Sequence, residues 1–207
     1  MANDFMQNWR FCRYNKPDEA KTVHLPHDAM ITEPRGKCLN GANSGYFPGG
    51  RYLYEKDFEI APEQIGQYIA LVFEGVYRCA TVYVNEKKLA CHAYGYTEFT
   101  VDISDAVQAG ANHLKVDVDN SLDPNSRWYS GSGIYRPVHL VIKPKDHIRN
   151  VRITTKSISP AVITVTADAP AGTTVKIYDG ETLVAEGVPG EMEVPHAKLW
   201  DAEHPNL

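Results

Sequence analysis

The sequence has no apolar run near the roughly 20 residues a membrane-spanning helix needs, no run of basic residues, and four cysteines in 207 residues. The first absence argues against a membrane partner. The second, with 21 Lys+Arg against 26 Asp+Glu and a formal charge of −5, argues against nucleic acid. The start, Met1-Ala2-Asn3-Asp4-Phe5-Met6-Gln7-Asn8-Trp9-Arg10, has no basic stretch leading into an apolar one, so no signal peptide is expected. No N-x-S/T acceptor occurs either, although removal of an upstream export signal would leave the same pattern. Cys12, Cys38, Cys79 and Cys91 form no C-x-x-C pair and no zinc-spaced cluster with histidine. Free thiols in a reducing cytoplasm are the expectation. A Cys79–Cys91 bridge is the alternative, because both fall in one predicted hairpin.

Common catalytic signatures are missing as well. There is no G-x-S-x-G, no Walker loop, no dinucleotide fingerprint and no H-E-x-x-H. The nearest glycine-rich string, Gly131-Ser132-Gly133-Ile134-Tyr135-Arg136, ends in Arg and precedes a predicted strand, so it fails as a phosphate cradle. Of the histidines only His24 and His27 are close, and on an extended segment their rings point to opposite sides. Satisfied structural histidines are the better reading of that pair, and neither a cofactor nor a metal is expected. Catalytic acids cannot be paired from sequence, because 26 carboxylates will approach one another by chance.

What the chain does have is strand pattern. Hydrophobic residues make up 43%, aromatics 10% and charged residues 23%, an ordinary balance for a folded protein. Tyr52–Ile60, Tyr68–Glu74, Ala80–Val84, Lys88–His92, Glu98–Ile103, His113–Val118 and Arg136–Ile142 read as strands with period-2 alternation. A turn at Asn85-Glu86-Lys87 would close the hairpin, and Ser104–Val107 reads as one capped helical turn ended by Gly110. Helical periodicity never lasts three turns. The fold class is therefore all-β, a sandwich. A boundary falls at Lys143-Pro144-Lys145-Asp146, giving residues 1–145 as one sandwich and 146–207 as another. In the second, Ile148–Thr154, Ala161–Ala167, Thr173–Asp179, Thr182–Glu186 and Glu191–Val194 read as strands. An immunoglobulin-like sandwich needs about seven, so this domain reads as incomplete at its C-terminus.

Two segments refuse the pattern. Residues 26–50 hold five glycines and three prolines, and residues 119–133 run Asp-Asn-Ser-Leu-Asp-Pro-Asn-Ser-Arg-Trp-Tyr-Ser-Gly-Ser-Gly. Long irregular connections in a compact domain are uncommon and are often functional. Tyr46, Phe47, Tyr94, Tyr96, Trp128 and Tyr129 lie in or beside such loops. Rigid rings beside Asn, Asp and Arg suit a sugar, which offers apolar C–H faces and hydroxyls together. The competing explanation is that these rings pack loops onto the sandwich or fill a domain interface.

Val23-His24-Leu25-Pro26-His27-Asp28 followed by Gly49-Gly50-Arg51-Tyr52-Leu53-Tyr54 resembles the entry to the sugar-binding jelly-roll domain of glycoside hydrolase family 2. The likeness runs on through Phe73-Glu74-Gly75-Val76, Ala80–Asn85 and Gly95-Tyr96-Thr97-Glu98-Phe99 to Arg127-Trp128-Tyr129-Ser130-Gly131-Ser132-Gly133-Ile134-Tyr135-Arg136-Pro137-Val138. Leu199–Leu207 is similar to the segment near the end of that family's second, immunoglobulin-like domain. Ala29 and Glu86 depart from the usual Trp and Asn-Gly. The Arg-Trp-Tyr…Gly-Ile-Tyr-Arg string looks most like β-galactosidase-type members, with β-glucuronidases as the alternative.

The resemblance implies retaining hydrolysis of β-glycosides by two glutamates about 5 Å apart, carried on a (β/α)8 barrel of roughly 250 residues that cannot fit in this chain. It further implies a non-catalytic role, with loops shaping the active site of a parent enzyme. Asn120 would hydrogen-bond sugar hydroxyls, Trp128 would offer an apolar wall, and Arg127 would fix the loop or touch substrate, with residues 40–46 in reserve. No catalytic residue is expected here. The partner would be a β-galactoside, and an enzyme of this kind often forms a homo-oligomer. A free-standing carbohydrate-binding module and a scaffold β-sandwich that makes only protein contacts remain as alternatives.

Overall fold

The computed structural model describes residues 5–122 and 130–206. It divides into two compact units, Met1–Lys143 and Pro144–Leu207. In the first, β1 (Trp9–Arg13), β2 (Lys21–Val23), β3 (Gly50–Ile60), β4 (Tyr68–Phe73), β5 (Ala80–Val84), β6 (Lys87–His92), β7 (Phe99–Asp102), β8 (Gly110–Asn120) and β9 (Val138–Lys143) build two antiparallel sheets. One has the order β2-β1-β3-β8-β5-β6 and the other β7-β4-β9. This is the expected jelly-roll sandwich. Among the described residues no helix is long and apolar enough to cross a membrane.

Alternation builds the core. Tyr52, Tyr54, Val82, Val84, Leu114, Val116 and Val118 from the large sheet meet Ile69, Leu71, Phe73, Val101 and Val138 from the small one in a single buried cluster. Phe73 is fully buried, and its ring stacks on Phe99 at 4.8 Å. Each such side chain contributes about 1.5–3 kcal/mol by leaving water. The residues between them, Arg51, Leu53, Glu55, Tyr83, Lys115 and Asp117, point to the opposite face of the large sheet because side chains alternate along a strand.

Several local readings change. The hairpin loop is the two-residue pair Asn85-Glu86, with φ of 48° and 62°, the left-handed geometry that suits strand twist. Asn85 holds it: Nδ2 donates to Ala106 O at 2.8 Å and Asn112 Oδ1 at 2.9 Å, and Oδ1 accepts from the His113 N–H at 2.9 Å. Glu86 sits under Lys115, whose hydrogen bond and charge keep its carboxyl below the usual range. Ser104–Val107 is a turn and not a helix. The acceptor there is Asp102, whose Oδ1 takes the Ser104 N–H at 2.9 Å, while Ser104 Oγ accepts from the Ile69 N–H. Strands β1 and β2 escape the sequence pattern altogether. All four cysteines are free. Cys91 faces Thr81 across the hairpin and Cys79 lies beyond the paired residues, which sets the proposed bridge aside.

The second unit holds β10 (Arg149–Ile158), β11 (Ala161–Asp168), β12 (Val175–Asp179), β13 (Thr182–Gly187) and β14 (Gly190–Glu193). These form a sheet of order β10-β11-β14 and a β12-β13 hairpin. Each predicted strand is there. Its buried apolar side chains among the described residues are Val165 and Met192, whereas Val151, Ile153 and Ile158 along β10 are exposed.

Candidate functional site

Pairing decides where the irregular segments emerge. Strands β3 and β8 run antiparallel over their full length, from Gly50 opposite Asn120 to Ile60 opposite Gly110. The chain entering β3 and the chain leaving β8 therefore meet at one end of the sandwich. Residues 26–49 and the described residues that follow Asn120, at 121–122 and 130–134, share that end.

Asp28 joins them. Its Oδ1 accepts from the Met30 N–H and from the Ser132 N–H, each at 2.9 Å. Around it the His27 N–H donates to Ile134 O at 2.8 Å and the Ala29 N–H to Ser132 O at 2.6 Å. On its other side the returning strand makes a bridge between Gly133 and Tyr77. Gly133 has φ +123°, and a Cβ there would press on Tyr54 Oη and on His27 O at 2.9 Å, so only glycine fits without strain. A Cβ on Gly131 would likewise sit 2.5 Å from Asp28 Oδ2.

Asn120, expected to hold sugar hydroxyls, is fully buried. Its Nδ2 donates to Ser132 Oγ at 2.7 Å and to Gly131 O at 3.3 Å. A direct sugar contact by that group would have to displace these bonds; as it stands, the amide pins the returning loop. Arg127 and Trp128 lie outside the described residues. In the reserve loop, Gly41–Ser44 forms a 3-10 turn. Ser44 Oγ donates to Phe47 O at 2.7 Å, Arg35 covers the Phe47 ring at 4.6 Å, and Tyr46 stands exposed with φ +65°.

Burial sets the electrostatics of this end. It pushes the Tyr52 phenol up to about 12 and the Tyr54 phenol well above its ordinary range. Burial also lowers His27, with Lys21 adding to the effect and Asp28 opposing it. His27 Nδ1 meets Tyr54 Oη at 2.8 Å, and its ring packs on Phe11 at 4.6 Å. His24 Nδ1 accepts from the Asn8 N–H at 3.2 Å. The two histidines are thus separate structural groups, and the described residues hold no cluster of three or more His, Cys, Asp or Glu side chains suited to a metal.

Beside the Gly133 bridge lies a group of tyrosines. Tyr77 meets Tyr96 edge-on at 5.3 Å, Tyr96 meets Tyr94 at 5.7 Å, and Tyr135 Oη donates to Gly95 O at 2.8 Å. Tyr94 and Tyr96 are 60% and 41% exposed, enough open ring to meet a ligand or another domain. Sequence reasoning picked these two and missed Tyr77, Tyr135 and Asp28. The Asp28 signal was present in the Pro-His-Asp string; its partner Ser132 is 104 residues away in sequence.

Comparison with known proteins follows the same lines. Residues 24–156 match the family model described as glycosyl hydrolase 2 galactose-binding domain-like. A protein of Formosa agariphila, provisionally named a beta-glucuronidase, is 32% identical over an alignment taking in all of this chain and 23% of that protein. A beta-galactosidase of Bacteroides ovatus is 36% identical over 67% of this chain and 18% of its own length. The crystal structure of a beta-glycosidase from Bacteroides vulgatus superposes with a TM-score of 0.76 at 24% identity, covering 99% of this chain and 30% of that one; it speaks to the fold. The chain spans less than a third of the length of each of these.

Proposed function

Since the chain belongs to the galactose-binding-domain-like family of glycosyl hydrolase 2, we propose that it is the non-catalytic, sugar-side part of a retaining β-glycosidase, acting on β-galactosides. The observation that carries this reading is the joined loop end: Asp28 and Asn120 both hold Ser132, so residues 26–30, 120 and 130–134 are fastened to one another at one end of the sandwich. Fastened flanks of this kind limit the entropy lost when a substrate binds beside them. Trp128 supplies an apolar wall and Arg127 a polar contact. Asn120 acts as a positioning residue through its hold on Ser132, and Tyr46 is the exposed ring of the 40–46 loop. Domains 1–145 and 146–207 form the jelly roll and an incomplete immunoglobulin-like sandwich in this reading. The free thiols support a cytoplasmic setting.

The β-galactoside assignment draws on the Arg-Trp-Tyr string and the Bacteroides ovatus relative; a β-glucuronide is the second reading, favoured by the Formosa agariphila relative. In the full-length enzyme, Trp128→Ala should raise KM for p-nitrophenyl β-galactoside about tenfold or more, as expected when a substrate-facing ring is removed. The 207-residue chain alone should show no turnover. Unchanged kinetics would remove the sugar-wall role, and higher kcat/KM on the matching β-glucuronide would move the assignment to the second reading.

A further inference from the structure

On the outward face of the large sheet, an open cavity of about 470 Å³ is lined by Tyr14, Pro17, Arg51, Leu53, Tyr83, Lys115 and Asp117. That size falls in the range of small-ligand sites. Leu53 and Asp117 face each other across β3 and β8 and form its floor. Tyr14 follows β1 and Tyr83 lies on β5, three strand spacings or about 14 Å away across the sheet, so the walls flank a diagonal groove.

Each wall is held by a cation that is itself neutralised. Arg51 lies 3.7 Å from the Tyr14 ring centroid, and its Nε donates to Asp117 Oδ1 at 2.9 Å with Nη2 on Oδ2. Lys115 covers the Tyr83 ring at 4.9 Å and donates to Glu86 at 2.8 Å. Arg10 holds Pro17 O at 3.1 Å while paired with Glu55. Asp117 is 7% exposed although it points away from the core. Such a frame is cheap to bind to, because its side chains are already held by these contacts.

The occupant can be argued from this chemistry. Every cation lining the groove already carries a carboxylate, so no charge is left over for an anionic ligand. What remains is apolar surface on Leu53 and the tyrosine rings, beside the polar edge of the Arg51–Asp117 pair. That combination suits the C–H face and adjacent hydroxyls of an uncharged sugar. We propose that this groove is a second saccharide site, separate from the loop end, that takes a short neutral oligosaccharide. It would hold a longer glycan to the protein without taking part in bond cleavage. The groove lies on the outward sheet face, apart from the residues of the loop end.

The test is a titration of the 15N-labelled 207-residue chain with β-1,4-galactotetraose, followed by amide shifts. Saturable shifts are expected at Tyr14, Leu53, Tyr83 and Asp117, and Tyr14→Ala and Tyr83→Ala should each weaken binding about tenfold. Unmoved amides of Leu71 and Phe73, on the small sheet, serve as the check that each variant is folded; if one variant fails it, the other carries the measurement. No shift on this face, or equal affinity in a folded variant, overturns the proposal. Shifts confined to residues 27–47 and 120–134 also overturn it while supporting the loop-end site. Tenfold tighter binding of tetragalacturonate would overturn the neutral-sugar assignment.

Discussion

The two units share a fold class and differ in how much they bury. In the first, two sheets close over a continuous cluster that includes Trp9, Tyr52, Tyr54 and Phe73. In the second, β10 leaves Val151 and Ile153 exposed, and burial is concentrated at Val165 and Met192. Hydrophobic burial is the main favourable term in folding, so the first unit should be the stable body and the second the weak one. An all-β sequence pattern is no measure of stability. What counts is whether each strand's apolar face finds another sheet.

The sharpest way to break that comparison is to remove one core side chain from each unit. Phe73→Ala should cost the first unit about 3–5 kcal/mol, whereas Val165→Ala should cost the second about 1.5 kcal/mol, two methyl groups' worth. Urea denaturation read by amide exchange in each unit measures both. The second unit should open first in the unmutated chain, and a single transition shared by both units would refute their independence. An effect smaller than that of Phe73→Ala is expected at the loop end. Asn120→Ala leaves the buried Ser132 hydroxyl without its donor and should cost about 1–3 kcal/mol, with the loss confined to the first unit.

The smallest expected effect depends on pH. Burial lowers the His27 pKa below its ordinary 6.5, so the folded first unit disfavours the charged ring. Its stabilising share is fully present above the unfolded value and is lost as pH falls through the folded one. Between about pH 7 and about pH 5, the urea midpoint of the first unit should fall further in the natural chain than in His27→Gln. Equal slopes in the two proteins would show that His27 carries no such linkage.

Much of the frame was readable from alternation. Tyr52–Ile60 and Tyr68–Glu74 announce their inward faces because apolar and polar residues take turns. Strand β1 did not, since Trp9-Arg10-Phe11-Cys12-Arg13 is short and charged, and β2 is a three-residue edge. Only pairing makes them strands, β1 against β3 and β2 against β1. At the site, composition marked both irregular segments, and the family resemblance singled out Asn120 by its position. Its buried bond to Ser132 was beyond reach, because an amide's partner depends on how the loop returns and not on the spacing.

Local chemistry along the chain was therefore enough for the all-β class, the strand positions from β3 onward, the punctuating loops and the family likeness, since each rests on period, turn residues or short strings. Three matters needed the folded chain: that Asp28 and Asn120 clamp the same serine, that the outward face of the large sheet forms a framed groove, and that one unit is well filled while the other is thinly covered. All three depend on residues far apart in sequence, brought together by antiparallel register and sheet packing, and none leaves a local trace in composition or periodicity.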